Sequence, residues 1–596
     1  MCGIIGFSSL RNNSQEILKN ILDGIRHRGP DNKSFKFYNK VGLGHVRLSI
    51  IDLHQESNQP MSSFDKRYTI IYNGEIYNYK EIKHELELLG YNFITNGDTE
   101  VILNGFIEFK EKIVEKLSGM FAFSIYDNIE NIFFLARDRY GIKPLFFYNE
   151  NEDFWFCSEV KPLEKYISDE KSLESSVLFL LLGSLPPKIT INKYIQKFPS
   201  GHYAWYKKNN LILEQYYNIE YQPKIKDSYK NIIANIHDLT TNAVKNNLVS
   251  DTPVGTFLSG GLDSSIITAI ASRYVTKLKT VSVSFEDKIF SEDYYQKLVV
   301  DKFKTEHYDY HITKEIFQLE FLQYLEILDQ PNMDGFNTYL ASKMARKAGL
   351  KSILAGQGAD EIFYSYDTFL NAKKLRENKS PLYGIFLLRK FKELIRSKKI
   401  PKDISLYLKN IDLSLYLPGK QIFTPSQIAN ILNLKIEKVL LIILNCFMKF
   451  DSSNILAYDD KVSYYEVKLY LENQLLAKDD MSSMANSLEI RIPFLDTNLV
   501  DYVTKIEPSI KYDKKVSKVL LAKAFEKELP SEIIYRDKKG FSIPYGEWLE
   551  TIVNDIGFNE NIYINLFLNK KIGWTKFITL VMLKKFNSNI ELSGEI

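Results

Sequence analysis

Through roughly the first 200 residues, short apolar runs alternate with Gly, Asn and Asp. Tyr68–Tyr72 precedes Asn73-Gly74, Phe121–Tyr126 precedes Asp127-Asn128, and Ile132–Ala136 follows. Runs of this length and residue type predict strands, and Asn73-Gly74 predicts a hairpin-type turn. Tyr79–Leu89 has helical spacing instead. Two packed sheets flanked by helices are expected for this half.

The pattern changes around Gln222–Ser228. A predicted helix, Tyr229–Asn247, leads into an apolar strand, Val254–Leu258, then a glycine turn, a helix over Ser264–Tyr274 and a strand over Thr280–Phe285. Strand, helix and strand at this spacing predict a parallel α/β sheet. The stretch Lys373–Lys399 is dense in Lys and Arg, and the remainder is mostly helical in pattern. Two domains are expected, residues 1–215 and 228–596, because 596 residues exceed what one core holds.

Composition narrows the classes. Lys plus Arg number 77 against 74 Asp plus Glu, which gives no general attraction to nucleic acid or anionic membrane. The basic stretch at 373–399 reads as a solvated face or a lid over a substrate rather than a grip on RNA. Apolar runs such as Val177–Leu182 and Val439–Leu444 fall short of the ~20 residues of a membrane span. Three cysteines cannot build a disulfide framework, and the histidines lack ligand spacing, so no zinc site is expected. Cys157 and Cys446 read as core residues. The cytoplasm is the expected compartment.

Cys2 stands apart. Removal of Met1 would place a thiol nucleophile and a free α-amine on one residue, with ordinary pKa values of about 8.5 and about 8. Four motifs accompany it: Arg26-His27-Arg28-Gly29-Pro30-Asp31, Gly44-His45-Val46-Arg47-Leu48-Ser49-Ile50, Tyr72-Asn73-Gly74-Glu75-Ile76-Tyr77-Asn78 and Gly97-Asp98-Thr99-Glu100. Taken singly, Asn73-Gly74 could be a turn, Arg47 a surface ion pair and Asp98 a helix cap. Together and in order they resemble the glutaminase domain of class II amidotransferases, the N-terminal-nucleophile family.

In the second half, Phe257-Leu258-Ser259-Gly260-Gly261-Leu262-Asp263-Ser264-Ser265 joins a strand to a helix. Its glycines let backbone amides approach an anion at the positive end of the helix. It lacks the Lys-Ser/Thr ending of a γ-phosphate loop and resembles the pyrophosphate loop of ATP pyrophosphatases. With Leu354-Ala355-Gly356-Gln357-Gly358-Ala359-Asp360-Glu361, the run from Asp480 to Asp496 and Arg536-Asp537-Lys538-Lys539-Gly540-Phe541, the chain resembles glutamine-hydrolysing asparagine synthetases.

That resemblance implies an α+β N-terminal nucleophile domain of two packed antiparallel sheets with helices. A parallel-sheet ATP-pyrophosphatase domain with many helices follows it. It implies Cys2 as nucleophile, with Asn73 and Gly74 stabilising the oxyanion and Arg47, Leu48, Ile50, Glu75 and Asp98 completing the glutamine site. It implies ATP at Leu258, Ser259, Gly260, Gly261, Asp263, Ser264, Val283, Ala355 and Gly356. Mg²⁺ would sit on Asp263 and Asp360, and Lys538 would stabilise the adenylated intermediate. Ammonia freed at Cys2 would travel inside the protein to a carboxylate activated as its acyl-adenylate. The family habit suggests a homodimer.

One stretch departs from the pattern. Asparagine synthetases usually read Ser-Gly-Glu-Gly where this chain has Ala355-Gly356-Gln357-Gly358, and Gln357 cannot take a proton at neutral pH. Asp329–Tyr339 is more like amidotransferase homologues of bacterial polysaccharide clusters. Two acceptors therefore compete: aspartate, or another carboxylate such as a uronic-acid sugar in surface polysaccharide biosynthesis. A third reading keeps glutamine hydrolysis and makes the second half a binding module; the joint presence of Asp263, Asp360 and Lys538 weighs against it.

Overall fold

The computed structural model describes residues 2–593 other than 12, 288, 371–415, 451, 514–515 and 537–542. The basic stretch read at 373–399 therefore lies outside the described residues, as does Lys538.

Two antiparallel six-stranded sheets build the first part. In spatial order, one runs Gln196–Lys197, Phe146–Glu150, Asp153–Cys157, Cys2–Ser8, Val41–Arg47 and Asn32–Tyr38. The other runs Asn210–Gln215, His202–Lys207, Ile132–Arg137, Gly119–Asp127, Tyr68–Ile76 and Met61–Ser62. Alternation explains the layering, since each strand sends every second side chain inward. Ile4, Leu43, Ile71, Leu135 and Phe156 thus meet in one buried cluster between the sheets. Helices cover the outer faces, Ser14–Gly24 on one side and Tyr79–Leu88 with Asp98–Phe109 on the other.

The turn expected at Asn73-Gly74 does not form. Both residues lie inside the strand Tyr68–Ile76, opposite Ala122 and Phe121. A Cβ on Gly74 would stand 2.1 Å from the Met120 carbonyl oxygen. The glycine serves a close backbone approach within a sheet rather than a reversal of the chain.

The second part is centred on a five-stranded parallel sheet ordered Glu306–Ile312, Lys279–Phe285, Val254–Phe257, Ser352–Leu354 and Glu489–Arg491. The chain enters at Val254–Phe257, adds strands on one side, then returns to add strands on the other. The order reverses between Val254–Phe257 and Ser352–Leu354, and the loops Leu258–Gly261 and Ala355–Gly358 leave the strands there. Crevices at such reversals are where open α/β sheets bind ligands.

The two parts share apolar packing. Helix Leu173–Leu182, buried from Ser175 to Leu182, belongs to the same cluster as Val281 and Ile353 of the parallel sheet. The apolar run Val177–Leu182 is therefore interior. Among the described residues no helix is long and apolar enough to cross a membrane.

Candidate active sites

Cys2 opens the strand Cys2–Ser8 and pairs in register with Arg47. Its backbone nitrogen, the atom that becomes the α-amine once Met1 is removed, donates to Asn73 Oδ1 at 2.9 Å. The two sheets thus meet at the first residue after the initiator. Asn73 is fully buried, and its Nδ2 has no hydrogen-bond partner among the described residues. A buried donor left unspent beside a thiol is what an oxyanion site requires. Burial raises the pKa of the Cys2 thiol, which favours attack after a proton has been handed on rather than a standing thiolate.

Arg47 is buried and, among the described residues, makes no ion pair. Its guanidinium donates to the carbonyls of His54 at 2.9 Å, Ile51 at 3.3 Å and Asp52, and to Asn58 Oδ1 at 2.8 Å. It holds the loop 51–58 against the strand that carries it. Leu48 and Ile50 are buried on the same segment, and the Ile50 carbonyl accepts from the Asp251 amide at 3.0 Å. Asp98 begins helix Asp98–Phe109, yet its carboxylate accepts from the Tyr72 hydroxyl at 2.8 Å and the Ile76 amide at 3.0 Å rather than capping that helix. Glu75 is buried, its Oε2 has no hydrogen-bond partner among the described residues, and its Oε1 lies 3.5 Å from Arg491 of the parallel sheet. Burial, then the charge of Glu489, raises the Glu75 pKa well above its ordinary value. Burial likewise raises that of Asp98.

The second site is a cavity of about 420 Å³ at the reversal of the parallel sheet. Leu258, Ser259, Gly261, Asp263, Ser264, Val283, Ala355 and Gly356 all line it. Gly260 does not; it has φ +75°, and a Cβ there would stand 2.7 Å from Tyr295. Helix Leu262–Ala271 starts at the cavity and points its positive end there. Asp263 and Asp360 converge on one ammonium, that of Lys518, at 2.5 and 2.7 Å. Burial works against that charge, but the two carboxylates outweigh it and hold the Lys518 pKa above its usual value. Lys518 is absent from every motif in the sequence reading. Its only sequence cue is one lysine among several in a short run.

The rest of the wall is polar. Gln357 is present with its buried Oε1 unpartnered among the described residues. Lys478 pairs with Asp334 at 2.7 Å, and Glu361 lies beside Tyr366 and Tyr470.

Between the sites, Arg28 donates to the Cys2 carbonyl at 3.2 Å and reaches Asp480 at 2.9 Å. A cavity of about 70 Å³ lies at this seam, lined among others by Arg28, Ile142, Asp480 and Met481.

Two family matches divide the chain in the same order as these sites. Residues 1–217 match the glutamine amidotransferase domain, and residues 235–574 match asparagine synthase. Asparagine synthetase [glutamine-hydrolyzing] 1 of Bacillus subtilis is 32% identical over 93% of this chain and 89% of its own. Asparagine synthetase B [glutamine-hydrolyzing] of Escherichia coli is 25% identical over 93% and 84%. A solved glutamine phosphoribosylpyrophosphate amidotransferase of B. subtilis overlaps 49% of this chain and 68% of its own at 17% identity, with a TM-score of 0.28. With more than half its length inside the asparagine synthase match, this chain belongs to that family and is a glutamine-hydrolysing ligase.

Proposed function

We propose that this chain makes asparagine from aspartate, ATP and glutamine, releasing glutamate, AMP and diphosphate. Residues 1–215 hydrolyse glutamine and residues 228–596 carry out the synthesis. Cys2 attacks the glutamine amide, and its own amine, fixed by Asn73 Oδ1, takes the thiol proton. Asn73 Nδ2 and the Gly74 amide stabilise the oxyanion, a donor of this kind being worth about 3–4 kcal/mol. Arg47 holds the glutamine carboxylate, while Glu75 and Asp98 hold its ammonium group. Leu48 and Ile50 supply backbone and apolar wall.

ATP lies along Leu258–Ser264, Val283, Ala355 and Gly356, its triphosphate toward the helix start at Leu262. Asp263 and Asp360 fit a hard divalent cation, because their oxygens already converge on one positive charge. Mg²⁺ held there would neutralise phosphate charge. Among the described residues no third carboxylate, His or Cys completes a metal cluster, so phosphate and water would fill the shell. Lys518 stabilises the phosphate charge that develops as diphosphate leaves, and Lys538 is proposed to share that role. Ammonia passes the seam at Arg28 and Met481, where protonation by bulk water is avoided.

The observation that carries aspartate as acceptor is the Lys478–Asp334 pair on the cavity wall. Opposite charges side by side complement an α-amino acid, whose carboxylate and ammonium would pair with them in turn. Gln357 alone favours the other acceptor, a uronic-acid sugar, because a neutral amide suits hydroxyl groups better than charge. A panel of carboxylates scored for AMP and diphosphate release with ammonium and ATP tests the choice. Aspartate-dependent release is expected, and release with uronic acids but not aspartate would reject it.

A further inference from the structure

A cavity of about 620 Å³ opens between the two parts of the chain. Lys188, Ser200 and His202 line it from the first part, and Lys449, Lys468 and Glu472 from the second. Residues of the connecting segment 215–222 close the wall between them. It shares no described lining residue with the cavity of the parallel sheet, and Cys2 does not reach it.

The acids in this wall already have partners. Glu220 pairs at 3.2 Å with Lys505, which lies outside the cavity. Glu472 accepts the Ser200 hydroxyl at 2.8 Å, and its other oxygen stands 4.0 Å from Arg137. The bases do not. The Lys468 ammonium, on the helix Glu466–Leu476, has only the Ser200 hydroxyl among the described residues, at 3.4 Å. Burial lowers its pKa; Glu472 opposes that fall and Arg137 adds to it. A buried ammonium on one long hydrogen bond is a charge short of a partner. Lys188 and Lys449 are exposed and pair with no carboxylate among the described residues. His202 donates from Nδ1 to the Ser200 carbonyl at 2.7 Å, which leaves Nε2 unspent among the described residues. Burial lowers its pKa against the pull of that carbonyl, and Lys468 and Lys188 lower it further, so the three groups feel one another's charge.

We propose that this cavity binds a phosphate monoester of sugar-phosphate size, its phosphate on Lys468, Lys188 and His202 and its organic body against Phe450 and Tyr464. A phosphate monoester carries about −1.5 to −2 charges near neutrality, which suits two lysines and an imidazole that can take a proton once an anion lies beside it. Phosphate alone would leave most of the space to water, whereas cavities of roughly 300–1,000 Å³ hold small organic ligands. Phe450, Ile455 and Tyr464 give that body an apolar wall, and Asn218 and Gln222 offer amides to its hydroxyl groups. Glu472 also lines the seam cavity beside Arg28, so the ligand would sit next to the link between the two sites without being consumed at either.

The test is calorimetric titration of the full chain with ribose 5-phosphate, with ribose and citrate as controls. Binding tighter than about 1 mM is expected for ribose 5-phosphate, none for ribose, and binding about tenfold weaker or more for citrate. Lys188→Glu, at an exposed position, and Lys468→Met should each weaken binding by about tenfold or more, the size of one charge-assisted contact. Lys518→Met, in the cavity of the parallel sheet, should leave it unchanged. Should Lys468→Met fail to fold, Lys188→Glu decides alone. Wild-type binding in a folded Lys188→Glu or Lys468→Met variant would overturn the site, as would loss of binding in Lys518→Met. No binding of ribose 5-phosphate up to about 1 mM would overturn it too. Citrate bound as tightly as ribose 5-phosphate would overturn the phosphate monoester as its ligand.

Discussion

Gly74 has no room for a side chain, since a methyl there would press on the Met120 carbonyl and the Phe121 backbone. Gly74→Ala should therefore shift the strand at the oxyanion site and slow glutamine hydrolysis by about 10²–10³-fold, the usual cost of losing one such donor. Synthesis from ammonium should persist, and glutamate and AMP release measured side by side check both halves. Glu361 gives a second prediction at this scale. Its pKa is about 8 folded against an ordinary 4.5, so folding takes up a proton between those values. Its contribution to stability is complete below about 4.5 and is lost as pH rises through 8. Glu361→Gln, neutral throughout, should show a shallower fall in thermal midpoint between about pH 5 and 8 than the wild type. Cys2, Asn73 and Asp263 stood out as candidates in the sequence because they sit in motifs. Lys518 did not, because a lone lysine gains meaning only when two distant carboxylates fold onto it.

At the scale of elements, the loops that line the cavity of the parallel sheet are placed by the reversal in strand order, and the strand Glu489–Arg491 reinforces one of them. The Ala355 amide donates to the Arg491 carbonyl at 2.9 Å, while the Arg491 side chain bonds Glu489 at 2.6 Å and faces Glu75. Arg491→Met would remove the guanidinium from between Glu489 and Glu75, breaking a buried pair of a kind worth about 3–5 kcal/mol. A lowered thermal midpoint is expected, and an unchanged one would mean that the two acids protonate or find water. Alternating strands and the strand–helix–strand rhythm were readable because period 2 and period 3.6 persist over enough residues. Glu489–Arg491 was not, since three residues inside a helical stretch carry no period. The Asn73-Gly74 turn was misread for a related reason: a dipeptide signal is local, and nine residues of pairing with Gly119–Asp127 override it.

Across the whole molecule, two sites share one apolar interior and one seam of buried charge. Arg28 links the Cys2 carbonyl to Asp480, so the glutamine site and the Asp480–Asp496 motif are mechanically joined although far apart in sequence. Order along the chain suggested two candidate sites; that the two parts share a core required helix Leu173–Leu182 to be seen among residues of the second part. Asp263→Asn should stop AMP formation and spare glutamine hydrolysis, since that carboxylate lines the cavity of the parallel sheet and not the Cys2 site. The central claim is that nitrogen release and amide formation occur at separate centres of one chain, the first depending on Cys2. Its most direct test is AMP release by Cys2→Ala with ATP and acceptor, supplied first with ammonium and then with glutamine. Near wild-type turnover on ammonium and none on glutamine is the predicted result, and equal loss on both nitrogen sources would contradict it.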